Sequence, residues 1–230
     1  MDIDELKRKW DYLGASDPLW AIMTDDSKTG NRWDVDEFFA SGRIDAEKFV
    51  GLARRLVPGL EIKRALDFGC GVGRLTQAHA AFAEKITGVD ISGPMIAQAR
   101  HFNRLPEQID FQVNTKPDLS MFADDHFDYI ISHIVLQHVP APIHLGYLRE
   151  FVRVLRPGGV CIFQLPEDFT ADWGSERFTE ENKDKIDMYC SPKDVVIETL
   201  GTAGGRLLEI EEDGACGPLH TSYRYVFTKD

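Results

Sequence analysis

Asp67-Phe68-Gly69-Cys70-Gly71-Val72-Gly73 follows the apolar run Ala65-Leu66 and opens a segment in which Leu75, Ala78 and Phe82 share one helical face. A strand, a glycine turn and a helix follow one another without a gap. Glycines let the backbone turn sharply and let a ligand approach closely, with N–H groups presented at the helix start. A tight turn with no ligand would use the same residues, so spacing has to decide. A dinucleotide fingerprint places its third glycine at position 74, which is Arg74, and this disfavours a nicotinamide dehydrogenase. The turn is instead Gly-x-Gly-x-Gly, with an acidic residue two before its first glycine. Asp90 ends the next apolar run, Ile86-Thr87-Gly88-Val89. A carboxylate there can accept both hydroxyls of a ribose, or it can cap the following helix. Two carboxylates flanking one glycine turn favour an adenosine-type ligand without a pyrophosphate.

Outward from the turn the text alternates. Pro94 sits at a helix start, followed by Met95, Ile96 and Ala99. Ile109–Val113 and Phe127–Ser132 read as strands, and Ile143, Tyr147, Leu148, Phe151, Val152 and Leu155 as a long amphipathic helix. Pro157-Gly158-Gly159 turns into the strand Val160–Phe163. Ser191-Pro192-Lys193-Asp194 caps a further helix ended by Gly204-Gly205, and strands at 206–210 and 223–228 finish the chain. Strands alternating with helices imply a mostly parallel sheet covered on both faces, with ligands at the carboxyl ends of the strands.

Before residue 62 the text is rich in Asp, Trp and Phe. Asp45 reads as an N-cap, with Phe49, Leu52, Ala53 and Leu56 behind it and Pro58-Gly59 closing the helix. Trp10, Leu13, Trp20, Ile22, Trp33, Phe38 and Phe39 must pack on something, so 1–44 reads as a helical cap and 45–230 as the main domain. Residues 167–188 read as an insertion over the strand ends.

The 230 residues are 43% hydrophobic and 28% charged, ordinary values for a soluble globular chain. The net charge of −12 makes nucleic acid a disfavoured partner. Cys70, Cys161, Cys190 and Cys216 lack metal-ligand spacing, so no metal is expected and a reducing compartment is. With no signal-peptide pattern and no membrane-length apolar run, the expected location is cytoplasmic.

Four segments, Asp67–Gly73, Val89-Asp90-Ile91-Ser92, Phe127–Ser132 and Leu155-Arg156-Pro157-Gly158-Gly159, resemble in order and spacing the motifs of class I S-adenosylmethionine-dependent methyltransferases, small-molecule type. The resemblance covers residues 60–165 well and 190–230 in outline. It implies a Rossmann-like seven-stranded sheet of order 3-2-1-4-5-7-6 with the last strand antiparallel. It implies S-adenosylmethionine as cofactor, with Asp67 toward the methionine amino group, directly or through a water. Gly69, Cys70 and Gly71 would line the cofactor, Asp90 would hold the ribose, and Ile91 and Met95 would flank the adenine. An acidic contact to the adenine amino group falls to Asp118 or Thr115. Ser132 and His133 would border the methionine end.

His138 is the leading general-base candidate and His133 the second; packing of the following helix is the competing role for His138. An ordinary imidazole pKa of about 6.5 suits that chemistry. Glu167 and Asp168 are further rim candidates, more often plain loop carboxylates. Trp20, Trp33, Trp173, Phe178 and Tyr189 are candidate walls of the acceptor pocket. Ser132-His133-Ile134-Val135 lacks the Asp/Asn-Pro-Pro-Tyr/Phe of enzymes that methylate base amino groups, and no cysteine follows a proline, as carbon-5 cytosine methylation needs. The expected activity is methyl transfer to a small molecule, on oxygen. A non-catalytic S-adenosylmethionine-binding partner protein, or a methyltransferase acting on protein or RNA, is the alternative.

Overall fold

The structure, a computed structural model, describes residues 2–169, 186–217 and 220–230, with the side chains of 168 and 169 excepted. The helices are α1 (Ile3–Ser16), α2 (Pro18–Ile22), α3 (Val35–Leu56), α4 (Arg74–His79), α5 (Gly93–Phe102), α6 (Ala141–Val154) and α7 (Lys193–Thr202). The strands are β1 (Arg64–Phe68), β2 (Lys85–Asp90), β3 (Ile109–Val113), β4 (Phe127–Ser132), β5 (Leu155–Phe169), β6 (Gly205–Glu212) and β7 (His220–Lys229). They form one sheet of order β3-β2-β1-β4-β5-β7-β6. β1 to β5 pair in parallel, and β7 runs antiparallel to both β5 and β6. This is the Rossmann-like order that the motifs implied.

Burial explains the sequence pattern. Every residue of β4 is buried, because helices cover both of its faces; hence Tyr129-Ile130-Ile131 run on without alternation. β3, at the edge, alternates. One face packs on α6 and α7 through Leu148, Phe151, Val196 and Leu200. The other packs on α3 and α5 through Phe49, Ala53, Ile96 and Ala99. Asp128, fully buried in β4, accepts the N–H groups of Lys63 (2.7 Å) and Arg64 (2.6 Å) and pairs with Arg156. Two of the motif segments are thereby pinned to the foot of β1.

Three local expectations change. The helix predicted to start at Asp45 starts at Val35: Asp34 is its N-cap, accepting the Glu37 N–H at 2.9 Å, and α3 runs through position 44 unbroken. Gly42 lies inside it because a Cβ there would stand 2.6 Å from the Arg74 carbonyl oxygen. Ser191 does not cap α7: its hydroxyl is 2.7 Å from His144 Nε2, and Pro192 holds the N-cap position. Strand pairing also begins at Leu155, slipping between Pro157 and Val160, where Gly158 has φ +74°. Trp173, Phe178 and nearly all of the 167–188 insertion lie outside the described residues.

The N-terminal aromatics pack as their number required. Leu13, Leu19 and Phe38 form a third cluster with Val72 of the glycine turn and Met95 of α5. This cluster sets α1 across the carboxyl ends of β1 and β2.

Candidate active site

Strand order reverses between β1 and β4, and a reversal opens a cleft beyond the strand ends. The cavity found there encloses about 1030 Å³ of empty space, solvent at its mouth included. Its floor is the glycine turn. Gly69, Gly71 and Gly73 have φ of +75°, +52° and +86°, a region side chains disfavour. The turn is anchored over β2, where the N–H groups of Gly69 and Cys70 donate to the Val89 carbonyl at 2.8 and 3.0 Å. Val135 rests on Gly69 and Ile22 on Gly71, each so closely that a Cβ on the glycine would collide with it.

Asp67 and Asp90 line the cavity on either side of this floor. Asp67 accepts the Thr76 hydroxyl at 2.6 Å. Burial pushes its carboxyl up to about 6, against the pull of the Thr76 bond and the Arg74 charge. Asp90 accepts the N–H groups of Gly71 and Ser92 at 2.9 and 2.8 Å, and burial raises it to about 6 as well. Ser92, not Asp90, is the side-chain cap of α5. Each oxygen of Asp90 keeps a lone pair for a further donor. Neither carboxylate has an ion-pair partner among the described residues. Cavity carboxylates without cations suit a ligand that brings hydroxyls and positive charge.

Gly69, Cys70, Gly71, Ile91, Met95, His133 and His138 also line the cavity, so most of the predicted site residues converge. Asp118 and Ser132 do not line it. The Asp118 carboxylate turns to its own loop and accepts the Ser120 N–H at 3.0 Å. Thr115 is exposed, and Asn114 is the residue of that loop that reaches the cavity. Ser132 is fully buried, and its hydroxyl has no hydrogen-bond partner among the described residues. Trp33 donates to the Met23 carbonyl at 3.1 Å and packs on Phe38, while Trp20 and Tyr189 also stand off the cavity. Glu167 pairs with Lys193 at the start of α7.

The two histidines differ. The Nδ1–H of His138 donates to the Asp187 carbonyl at 2.8 Å, and Gln137 donates its amide to Nε2 at 3.2 Å. Burial lowers its pKa to about 4. His133 meets the edge of Phe49 at 5.0 Å between centroids and makes no hydrogen bond among the described residues. Burial lowers it to about 4 too, so both are neutral at pH 7. The sequence reading missed the roof, formed by Ile3, Leu6 and Trp10 of α1, although their spacing is that of one helical face. It also missed Arg74 and Tyr147 as cavity residues.

Residues 66–163 match the model of a methyltransferase domain family. In the order of its motifs and strands the chain is similar to class I S-adenosylmethionine-dependent methyltransferases. The chain is 33% identical over 153 residues to a ubiquinone biosynthesis O-methyltransferase of Xanthomonas oryzae pv. oryzae, covering 66% of this chain and 53% of that one. It is 28% identical over 169 residues to a sterol 24-C-methyltransferase of Yarrowia lipolytica, covering 69% of this chain and 43% of that one. The chain therefore spans about half the length of the curated relatives it matches. The fold matches that of magnesium protoporphyrin IX methyltransferase from Synechocystis, solved with bound SAH, at TM-score 0.68 and 18% identity over 100% of both chains. The acidic, glycine-floored cavity fits S-adenosylmethionine, the cofactor that the motifs imply. No helix among the described residues is long and apolar enough to cross a membrane.

Proposed function

We propose that the chain transfers a methyl group from S-adenosylmethionine to an oxygen of a small molecule. The observation that carries this reading is the pair of carboxylates, Asp67 buried and Asp90 half-buried, bracketing one glycine turn inside one cavity. Asp90 takes the ribose hydroxyls and Asp67 the methionine ammonium, with Ile91 and Met95 beside the base. When bound, the cofactor supplies a methyl carbon already activated by a sulfonium. The protein's task is to hold the acceptor oxygen in line with the carbon–sulfur bond, about 3 Å from the methyl. The C–O bond forms as the C–S bond breaks, and the electron pair goes to sulfur. The positive charge leaves the sulfur as the acceptor's proton passes to a base, so an apolar roof of Leu6 and Trp10 over the reacting atoms favours the step.

His133 is the side chain proposed to take the acceptor's proton, because it lines the cavity and its ring nitrogens make no hydrogen bond among the described residues. His138 has both nitrogens engaged and positions the segment after β4. Oxygen as acceptor is supported by the ubiquinone-biosynthesis O-methyltransferase among the relatives; carbon, as in the sterol 24-C relative, is the second reading. The reducing, cytoplasmic setting is proposed from the cysteine spacing. Incubation with labelled S-adenosylmethionine and a panel of phenols, catechols and carboxylic acids tests the proposal. Label in an ether or ester supports it. Binding of S-adenosylhomocysteine with no transfer to any small molecule favours a non-catalytic binding protein.

A further inference from the structure

Arg74, which stands where a dinucleotide fingerprint has its third glycine, is only 7% exposed and lines the cavity. Its Nη1 donates to Asp45 at 2.7 Å and to Ser41 at 3.1 Å, which ties α4 to α3. Among the described residues the other edge of the guanidinium makes no hydrogen bond. Nε is buried without a hydrogen-bond partner, and Nη2 makes no hydrogen bond among the described residues. Buried donors are rarely left unpaired in native structures. Nε–H and Nη2–H together form a planar fork that matches the two oxygens of a carboxylate.

The neighbourhood is consistent with such a guest. The Arg74 charge is close enough to pull the Asp67 carboxyl down and to lower His133. An uncommitted cation edge near an unpaired buried carboxylate complements a zwitterion, ammonium toward Asp67 and carboxylate toward Arg74. We propose that the Nε–Nη2 edge of Arg74 is a carboxylate seat within the cavity. The seat rests on the methyl-transfer reading above. Its carboxylate comes either from the amino-acid end of the cofactor or from the acceptor.

Calorimetric titration of the full chain separates the two. R74K keeps the charge and loses the fork. The probes are S-adenosylhomocysteine and 5′-methylthioadenosine, which keeps the nucleoside and thioether but lacks the amino-acid end. If the seat serves the cofactor, R74K weakens S-adenosylhomocysteine about tenfold or more and leaves 5′-methylthioadenosine unchanged. If it serves the acceptor, both nucleosides bind R74K as they bind wild type. Benzoate then binds the S-adenosylhomocysteine-loaded wild type and not loaded R74K. Unchanged binding of all three probes overturns the proposal.

Should R74K fail to bind 5′-methylthioadenosine, the variant is misfolded and the wild type decides. There, about tenfold weaker binding of decarboxylated S-adenosylhomocysteine, or benzoate binding to the loaded protein, supports the seat. Equal affinities with no benzoate binding overturn it. A wild type that binds neither nucleoside overturns the cofactor assignment itself, and the seat with it.

Discussion

The Asp90 carboxylate accepts the Gly71 N–H at 2.9 Å and the Ser92 N–H at 2.8 Å, so one side chain joins the glycine turn to the start of α5. The residue proposed to hold the ribose also builds the seat it sits in. D90A removes the acceptor of two backbone donors, and a buried unsatisfied donor costs about 1–3 kcal/mol. D90A is expected to lower the melting temperature and to weaken S-adenosylhomocysteine by about 100-fold, or about 2.7 kcal/mol. Calorimetry and thermal unfolding check this. Unchanged affinity would remove Asp90 from the cofactor site.

Asp67 and Asp90 both titrate near 6 in the folded chain, above the ordinary 3.8, because burial disfavours their charged forms. Between those limits the native state holds more protons than the unfolded chain. Their contribution to stability therefore falls as pH rises through that window and is level above it. Cofactor binding runs the other way, since both seats work as carboxylates. Affinity for S-adenosylhomocysteine should be flat above pH 6 and fall about tenfold per pH unit below it for each required ionisation. Titrations from pH 5 to 8 that give one constant affinity would contradict this.

His133 and His138 are separable by experiment. H133A is expected to reduce kcat about 100-fold, the low end for losing a general base, with S-adenosylhomocysteine affinity unchanged. H138A loses the bond to the Asp187 carbonyl and the edge contact with Trp10 at 5.5 Å. It should lower stability and weaken the cofactor more than it slows the chemical step. Single-turnover kinetics beside equilibrium binding distinguish the two, and an unaltered rate in H133A would strike it from the catalytic assignment.

Lys9 of the roof helix pairs with Asp187 at 2.6 Å, and both side chains are nearly buried. Removing one partner of a buried pair strands the other charge, at about 3–5 kcal/mol. K9A should therefore unfold at a clearly lower denaturant midpoint, and K9M/D187L should recover most of the loss. A double-mutant cycle with no coupling between the two positions would rule out the pair as a fastener of α1.

Gly69 has φ +75°, and a Cβ there would lie 2.2 Å from a Val135 methyl. G69A should both destabilise the chain and abolish S-adenosylhomocysteine binding. G69A/V135A relieves the clash and leaves the strained backbone, so it should regain stability in part. Thermal shifts for the two variants check the order, and equal melting temperatures would show that the contact does not matter.

Much of this was readable because strands buried on both faces are mostly apolar: Tyr129-Ile130-Ile131 announced β4 although the charged Asp128 precedes them. Asp67 and Asp90 were legible because the turn fixes their distance along the chain. What was not legible depends on partners far away in sequence. The ring of His138 is committed by a carbonyl at Asp187, and no local pattern announces that. Arg74 could be read as a missing glycine but not as a cavity residue, because its placement depends on Asp45 and Ser41 in α3. The start of α3 was misplaced because Asp45 reads as an N-cap, whereas the helix is capped at Asp34 and runs through Gly42, a point of close helix approach.

The most direct measurement is a crystal structure of the chain with S-adenosylhomocysteine. The account predicts the ribose hydroxyls on the Asp90 carboxylate, the ammonium facing Asp67, and the adenine between Ile91 and Met95. A nucleoside bound elsewhere, or a ribose turned away from Asp90, would contradict it.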